Sequence, residues 1–189
     1  MSRRFLSLWL PYFATDRLRC GPEPLVTLME QAGVPRIVAT NKAAAALGIA
    51  GGMALADARA LHPDLQTRPA NPLREVRGLT RLADWCERYT PLLALDGANG
   101  LMLDITGCDH LFGGESAMAA DALKRLQHFG FSARAAIAGT PGAAWALARY
   151  GKADPGTAVV APPDAKALGA LLTPLPLAAL RLPAEKTAA

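Results

Sequence analysis

The chain has 189 residues, 51% of them hydrophobic and 19% charged, a balance that suits one folded domain, or one with a small satellite, and excludes a disordered chain. Its 17 glycines and 15 prolines stay below the ~25–30% share of low-complexity segments, and no window approaches the ~18 apolar residues of a membrane span. Twenty basic against 16 acidic residues give a net charge of +4, a weak field that is compatible with nucleic acid and does not demand it.

Phe5–Leu10 is a short apolar run stopped by Pro11, the pattern of a buried strand. A brief helix is expected over Phe13–Arg19, ended by Gly21-Pro22. Leu25–Glu30 and Arg36–Thr40 read as strands joined by a turn through Gly33-Val34-Pro35. Asn41 can cap a short Ala-rich helix that Gly48 ends, and a second short helix over Leu55–Leu61 stops before Pro63. The clearest helix follows. Asn71 is its cap, Pro72 its first residue and Glu75 an anion in the first turn; Leu79, Leu82, Ala83, Cys86 and Tyr89 form its apolar stripe. After Pro91, Leu92–Leu95 and Leu101–Thr106 flank Asp96–Gly100, where Asn99-Gly100 signals a hairpin. A helix over Ser116–Phe129, a strand over Ser132–Ala138, a helix from Thr140-Pro141 to Tyr150, a strand at Thr157–Ala161 and a helix over Pro163–Leu172 complete the order. This succession predicts an α+β fold, a sheet with helices packed on one face.

Cys20, Cys86 and Cys108 lack C-x-x-C spacing, and their odd number argues against a disulfide framework. With the scattered His62, His110 and His128 they form no metal site. A reducing cytoplasm is the expected compartment. Ser2-Arg3-Arg4-Phe5-Leu6 superficially has the form of a twin-arginine export start, but Pro11 stops the apolar run and no cleavage site follows.

Several stretches then share an order and a spacing: Leu8-Trp9-Leu10-Pro11-Tyr12-Phe13; Val38-Ala-Thr-Asn41 with Leu47-Gly48-Ile49, Gly52-Met53, Ala58, Leu61 and Pro63; Asp96 through Leu103-Asp104-Ile105-Thr106; Leu111-Phe112-Gly113; and Ala143–Ala148. Together they resemble the palm and fingers of the Y-family (UmuC/DinB) DNA polymerases. Ser7–Pro11, Asp104–Gly107 with Leu111–Glu115, and Gly142–Arg149 are similar to the ImuB-like branch, polymerase-shaped accessory proteins of bacterial mutasome systems. The resemblance implies a ferredoxin-like palm over 1–24 and 70–173, a small fingers insertion over 25–69, and the start of a truncated thumb or linker in 174–189.

Template-directed phosphoryl transfer uses two Mg²⁺ ions ~3.5–4 Å apart, and such hard cations need carboxylates. The resemblance implies an acid on the first strand and an Asp-Glu pair at the hairpin of active relatives; the matching positions here are Trp9, Asn99 and Gly100. An indole has no lone pair for Mg²⁺, glycine has no side chain, and Asn99 offers one neutral carbonyl oxygen. No catalytic residue, metal or cofactor is therefore expected. The positions that hold the triphosphate and exclude a ribose 2′-hydroxyl match Lys42, Ala45, Trp145 and Ala14; only Lys42 is charged, a poor cradle for a triphosphate. Asp96 and Asp104 bracket the hairpin and leave two readings. In one, Asp96 serves the turn through backbone hydrogen bonds and Asp104 a strand face or edge. In the other they build a displaced metal site, with no acid on Phe5–Leu10 to complete it.

Trp9 and Trp145 read either as core residues or as a pair filling the space vacated by metals and triphosphate. Arg74, Arg77, Arg81 and Arg88 lie on one side of the capped helix, available to DNA phosphates or an acidic partner, or simply solvated with Glu75, Asp84 and Glu87 among them. The partners that the resemblance implies are damaged or primer–template DNA, an error-prone DNA polymerase, an ImuA-type (RecA-like) protein and the sliding clamp, engaged largely through parts not seen in this stretch; no membrane is expected. The expected role is a non-catalytic adaptor in DNA damage tolerance. The alternatives are an active lesion-bypass polymerase with a rearranged metal site and a ferredoxin-like interaction module unrelated to replication.

Overall fold

In the computed structural model residues 2–154 and 156–181 are described; the part of the expected thumb or linker start from 182 to 189 lies outside them. In chain order the elements are β1 (Phe5–Trp9), α1 (Phe13–Asp16), β2 (Leu25–Gln31), β3 (Val34–Thr40), α2 (Lys42–Ala46), α3 (Leu55–Leu61), β4 (Gln66–Pro69), α4 (Pro72–Cys86), β5 (Leu93–Leu95), β6 (Gly100–Asp104), α5 (Glu115–His128), β7 (Arg134–Ala138), α6 (Pro141–Tyr150), β8 (Ala158–Val160) and α7 (Ala165–Leu172). They pack as two units. One takes in the chain up to Leu10, Leu79–Phe129 and the chain from Ala133; the other takes in Pro11–Gly78 and Gly130–Ser132.

The first unit holds a sheet of order β5-β6-β1-β7-β8, antiparallel except where β8 runs parallel to β7. The succession β1-α4-β5-β6-α5-β7, with β1 between β6 and β7, is ferredoxin-like topology. The apolar run of β1 explains its central place, because a strand buried on both faces reads as continuous hydrophobicity. Phe5, Leu6, Ser7 and Leu8 are all buried. The sheet is therefore covered on both sides at β1, where the alternation of elements had suggested helices on one face. Phe5 and Trp9 pack with Ala143, Ala144, Leu147 and Ala148 of α6, whose small residues allow a close helix–sheet approach. Thr140 caps α6 by accepting the Ala143 N–H, with Pro141 in the first turn.

In the second unit β4 runs parallel to β2, giving the order β3-β2-β4. The β2–β3 turn is tighter than the sequence pattern suggests. Ala32 and Gly33 carry positive φ of 50° and 76°, while Val34 and Pro35 already pair with Gln31 and Glu30. Asn41 ties α2 to the sheet: its Oδ1 accepts the N–H groups of Ala44 (2.9 Å) and Leu25 (3.1 Å), and its Nδ2 donates to the Glu23 carbonyl. Val26, Ile37, Ala44, Ile49, Ala58 and Leu65 form the core of this unit. The helix expected over Phe13–Arg19 ends at Asp16, and Arg19 turns the chain with a φ of 51°.

Candidate functional site at the end of the β5–β6 hairpin

Trp9 is the last residue of β1, and strand register fixes its neighbours: Gly100 of β6 on one side and Arg134 of β7 on the other. Asn99, immediately before, accepts the Leu10 N–H on its backbone carbonyl at 2.8 Å. The hairpin turns one step earlier than the Asn99-Gly100 pair suggests. Gly97 has the left-handed φ of 67° that a turn of this kind needs, and the Asp96 N–H donates to the Gly100 carbonyl at 2.8 Å. Gly100 is needed for room rather than for backbone freedom. A Cβ at this position would lie 2.8 Å from the Asp96 carbonyl oxygen, 3.1 Å from Arg149 Nη2 and 3.3 Å from Asp96 Oδ2.

The Asp96 carboxylate is buried, and each of its oxygens is met by an arginine. Arg149 Nη2 donates to Oδ2 at 3.1 Å, and Arg181 Nη2 donates to Oδ1 at 2.7 Å. The Asp96 N–H serves the turn through a backbone hydrogen bond, as the sequence suggests, while its side chain serves the two arginines. Arg149 lies one helical turn after Trp145 on α6. Its guanidinium sits over the Trp145 ring at 4.3 Å and the Trp9 ring at 5.6 Å, and is the common neighbour of both indoles. Arg181 also stacks on Trp145, at 4.7 Å, and Arg134 lies 6.0 Å from the Trp9 ring while donating to the Gly151 carbonyl. Two guanidiniums thus meet one carboxylate, and a third, that of Arg134, lies on the Trp9 indole. The Arg149 side chain is only 10% exposed, and its Nη1 is buried without a hydrogen-bond partner among the described residues. Burial pulls Arg149 below the usual arginine value; Asp96 opposes this and Arg181 adds to it. An arginine so placed still remains a cation.

Asp104 sits at the far end of the same strand. Its Oδ1 accepts from the Thr106 hydroxyl (2.6 Å) and N–H (3.1 Å), and its Oδ2 accepts from Arg3 (2.7 Å). The Thr106 hydroxyl, above all, holds this carboxyl below the usual range; partial desolvation opposes it and Arg3 assists. The four residues from Gly100 to Asp104 span roughly 13 Å at ~3.3 Å each. Asp96, opposite Gly100, and Asp104 are therefore too far apart to share one ion. Among the described residues no group of three or more His, Cys, Asp or Glu side chains is arranged to hold a metal, and no helix is long and apolar enough to cross a membrane.

In the second unit Lys42 is exposed at the first position of α2, with half-buried Ala45 on the same helix; Ala14 is half-buried in α1. Arg74, Arg77, Arg81 and Arg88 are all exposed, and the Arg88 guanidinium lies over Trp85 at 4.7 Å.

A family profile described as the impB/mucB/samB family matches residues 18–149. The chain belongs to the impB/mucB/samB family. Two proteins named Protein ImuB, from Caulobacter vibrioides strains NA1000 / CB15N and ATCC 19089 / CIP 103742 / CB 15, are each 52% identical over 136 residues. The match covers 72% of this chain and 28% of each relative, so the chain spans little more than a quarter of their length. Among solved structures, the fold is similar to Dbh DNA polymerase in a post-insertion binary complex, with a TM-score of 0.72 and 18% identity over 85% of this chain and 48% of that one. An insertion ternary complex of the same polymerase gives 0.71 and 16% over 93% and 53%. DinB from Sulfolobus solfataricus gives 0.64 and 18% over 83% and 48%. These likenesses show the fold, the palm and fingers of Y-family polymerases. Membership of the impB/mucB/samB family sets aside a module unrelated to polymerases.

In this impB/mucB/samB-family palm, Trp9 pairs with Gly100, the Asn99 carbonyl lies beside them, and Arg149 links Trp9 to Trp145. The residues that hold this group together were not foreseen. Arg149 had a signal, being the sole charged residue of α6 and four positions after Trp145. Arg181 had none.

Proposed function

We propose that the chain is the palm-and-fingers portion of a non-catalytic, polymerase-like adaptor in DNA damage tolerance, acting in the cytoplasm. Its functional division is a palm over 1–24 and 70–173 and fingers over 25–69. The observation that carries this reading is the hairpin end. Trp9, Asn99 and Gly100 stand where catalytic relatives are expected to carry carboxylates, and the one buried acid there, Asp96, has both oxygens engaged by Arg149 and Arg181. Two-metal catalysis requires anionic oxygens that converge on two divalent ions. Here a divalent ion would approach two guanidiniums and a single, already paired, carboxylate, and like-charge repulsion in a partly buried site is strong.

On this reading the polymerase shape is kept for recognition rather than chemistry. The likeness to proteins named ImuB supports a place beside an error-prone polymerase on damaged or primer–template DNA. It also supports docking with an ImuA-type partner and the sliding clamp. Primer extension tests the catalytic half. Purified chain given primer–template DNA, labelled nucleotides and Mg²⁺ is expected to add nothing. Incorporation that disappears in Asp104→Ala would instead establish a lesion-bypass polymerase with a rearranged metal site.

A further inference from the structure

We infer that Arg149 is the resident cation of this palm, an internal lock that occupies Asp96 and bars divalent metal from the hairpin end, and that position 100 is glycine so that the lock can close. The inference rests on the non-catalytic reading and goes a step beyond it. Missing carboxylates explain why metal ligands are absent; a lock predicts that restoring them is not enough.

Three observations carry it. The Arg149 guanidinium is seated rather than merely paired: both indoles flank it, its side chain is 10% exposed, and its salt bridge is to an aspartate that is 8% exposed. Its hydrogen-bonding capacity is also incompletely used. Among the described residues Nη1 has no acceptor, so Asp96 and the ring faces hold the charge. Arg181 already shares Asp96 and Trp145, and a divalent ion would weaken that arrangement further. Finally, Gly100 leaves only the space the pair needs. A Cβ there would meet the Asp96 carbonyl oxygen at 2.8 Å, Arg149 Nη2 at 3.1 Å and Asp96 Oδ2 at 3.3 Å, so any side chain at position 100, a carboxylate included, must shift the turn backbone and disturb the bridge. Trp9 sits directly across the strand pair from Gly100, so the indole and the bare backbone form two walls of one guanidinium seat.

The test puts the carboxylates back with and without the lock. The double variant Trp9→Asp/Gly100→Glu and the triple variant that adds Arg149→Met are made in the full chain. Mn²⁺ binding is read from the loss of the free-ion electron paramagnetic resonance signal. The lock predicts at least tenfold tighter binding by the triple variant than by the double, with the parent no tighter than the double. Equal affinities of double and triple, or tight binding by the parent, overturn it. A second measurement stands even if the acidic variants do not fold. In a cycle of Asp96→Asn, Arg149→Met and their combination, each single change should lower the urea midpoint, and the pair should lower it no further than the worse single change. Additive losses overturn the proposal. Primer extension by the parent chain would sink the functional reading, whereas metal binding by the double variant as tight as by the triple sinks only the lock.

Discussion

The two ends of the β5–β6 hairpin each set an aspartate beside an arginine, and the same pair of residue types does different work at each. At one end Asp96 and Arg149 are 8% and 10% exposed, flanked by two indoles. At the other Asp104 is 14% exposed, its partner Arg3 is 70% exposed, and a threonine hydroxyl supplies the shorter hydrogen bond. The difference lies in the solvent. A buried bridge becomes a fixed structural part, because removing either partner strands a charge in a poor dielectric. An exposed bridge is screened and contributes little. The polymerase-like palm has thus kept an acidic hairpin at both ends and put neither acid where it could share an ion with the other.

The largest break in this comparison should come from Arg149→Ala. Urea unfolding is expected to show a loss of about 3–5 kcal/mol, the range for uncovering one half of a buried pair; a loss as small as that of an exposed bridge would make the two ends equivalent. Gly100→Ala comes next, at about 1–3 kcal/mol for forced overpacking. Part of that loss should vanish when Arg149→Ala is already present, because the contact with Arg149 Nη2 has gone while the closer one with the Asp96 carbonyl oxygen remains. Arg181→Ala should cost less than Arg149→Ala, near the ~1 kcal/mol limit of exposed pairs, since Arg181 is 49% exposed. The smallest effect belongs to Asp104→Asn, below ~1 kcal/mol at neutral pH. Its sharper signature is in pH dependence. A carboxyl held below its usual value stabilises the fold above the ordinary aspartate range near ~3.9, and that contribution is lost as pH falls through the lowered folded value. Asp104→Asn should remove that part of the acid sensitivity, measured as unfolding midpoint against pH.

Much of the fold was legible because its signals are local. The Phe5–Leu10 run, the Asn71 cap with Pro72, and Thr140-Pro141 each act within a few residues, and each element stands where it was expected. β4 escaped because Gln66-Thr-Arg-Pro69 is polar and ends in proline; it is held by its parallel partner rather than by its own pattern. Asn99-Gly100 misled for a related reason, since the turn uses Gly97 and the second glycine serves a neighbour instead. At the site, the identities of Trp9, Asn99 and Gly100 could be read from the sequence, whereas the arginines packed around them could not. Arg149 and Arg181 lie 53 and 85 residues from Asp96, and no spacing rule spans such distances. Only the α6 packing that brings Arg149 over Trp9 makes the bridge visible.

The central claim is that protein cations, not metal ions, complete this palm, and thermal unfolding in the presence and absence of saturating Mn²⁺ tests it most directly. A ligand that binds the folded chain alone raises the midpoint, so the parent chain should melt at the same temperature in both. A Mn²⁺-dependent rise that disappears in Asp96→Asn would contradict the account.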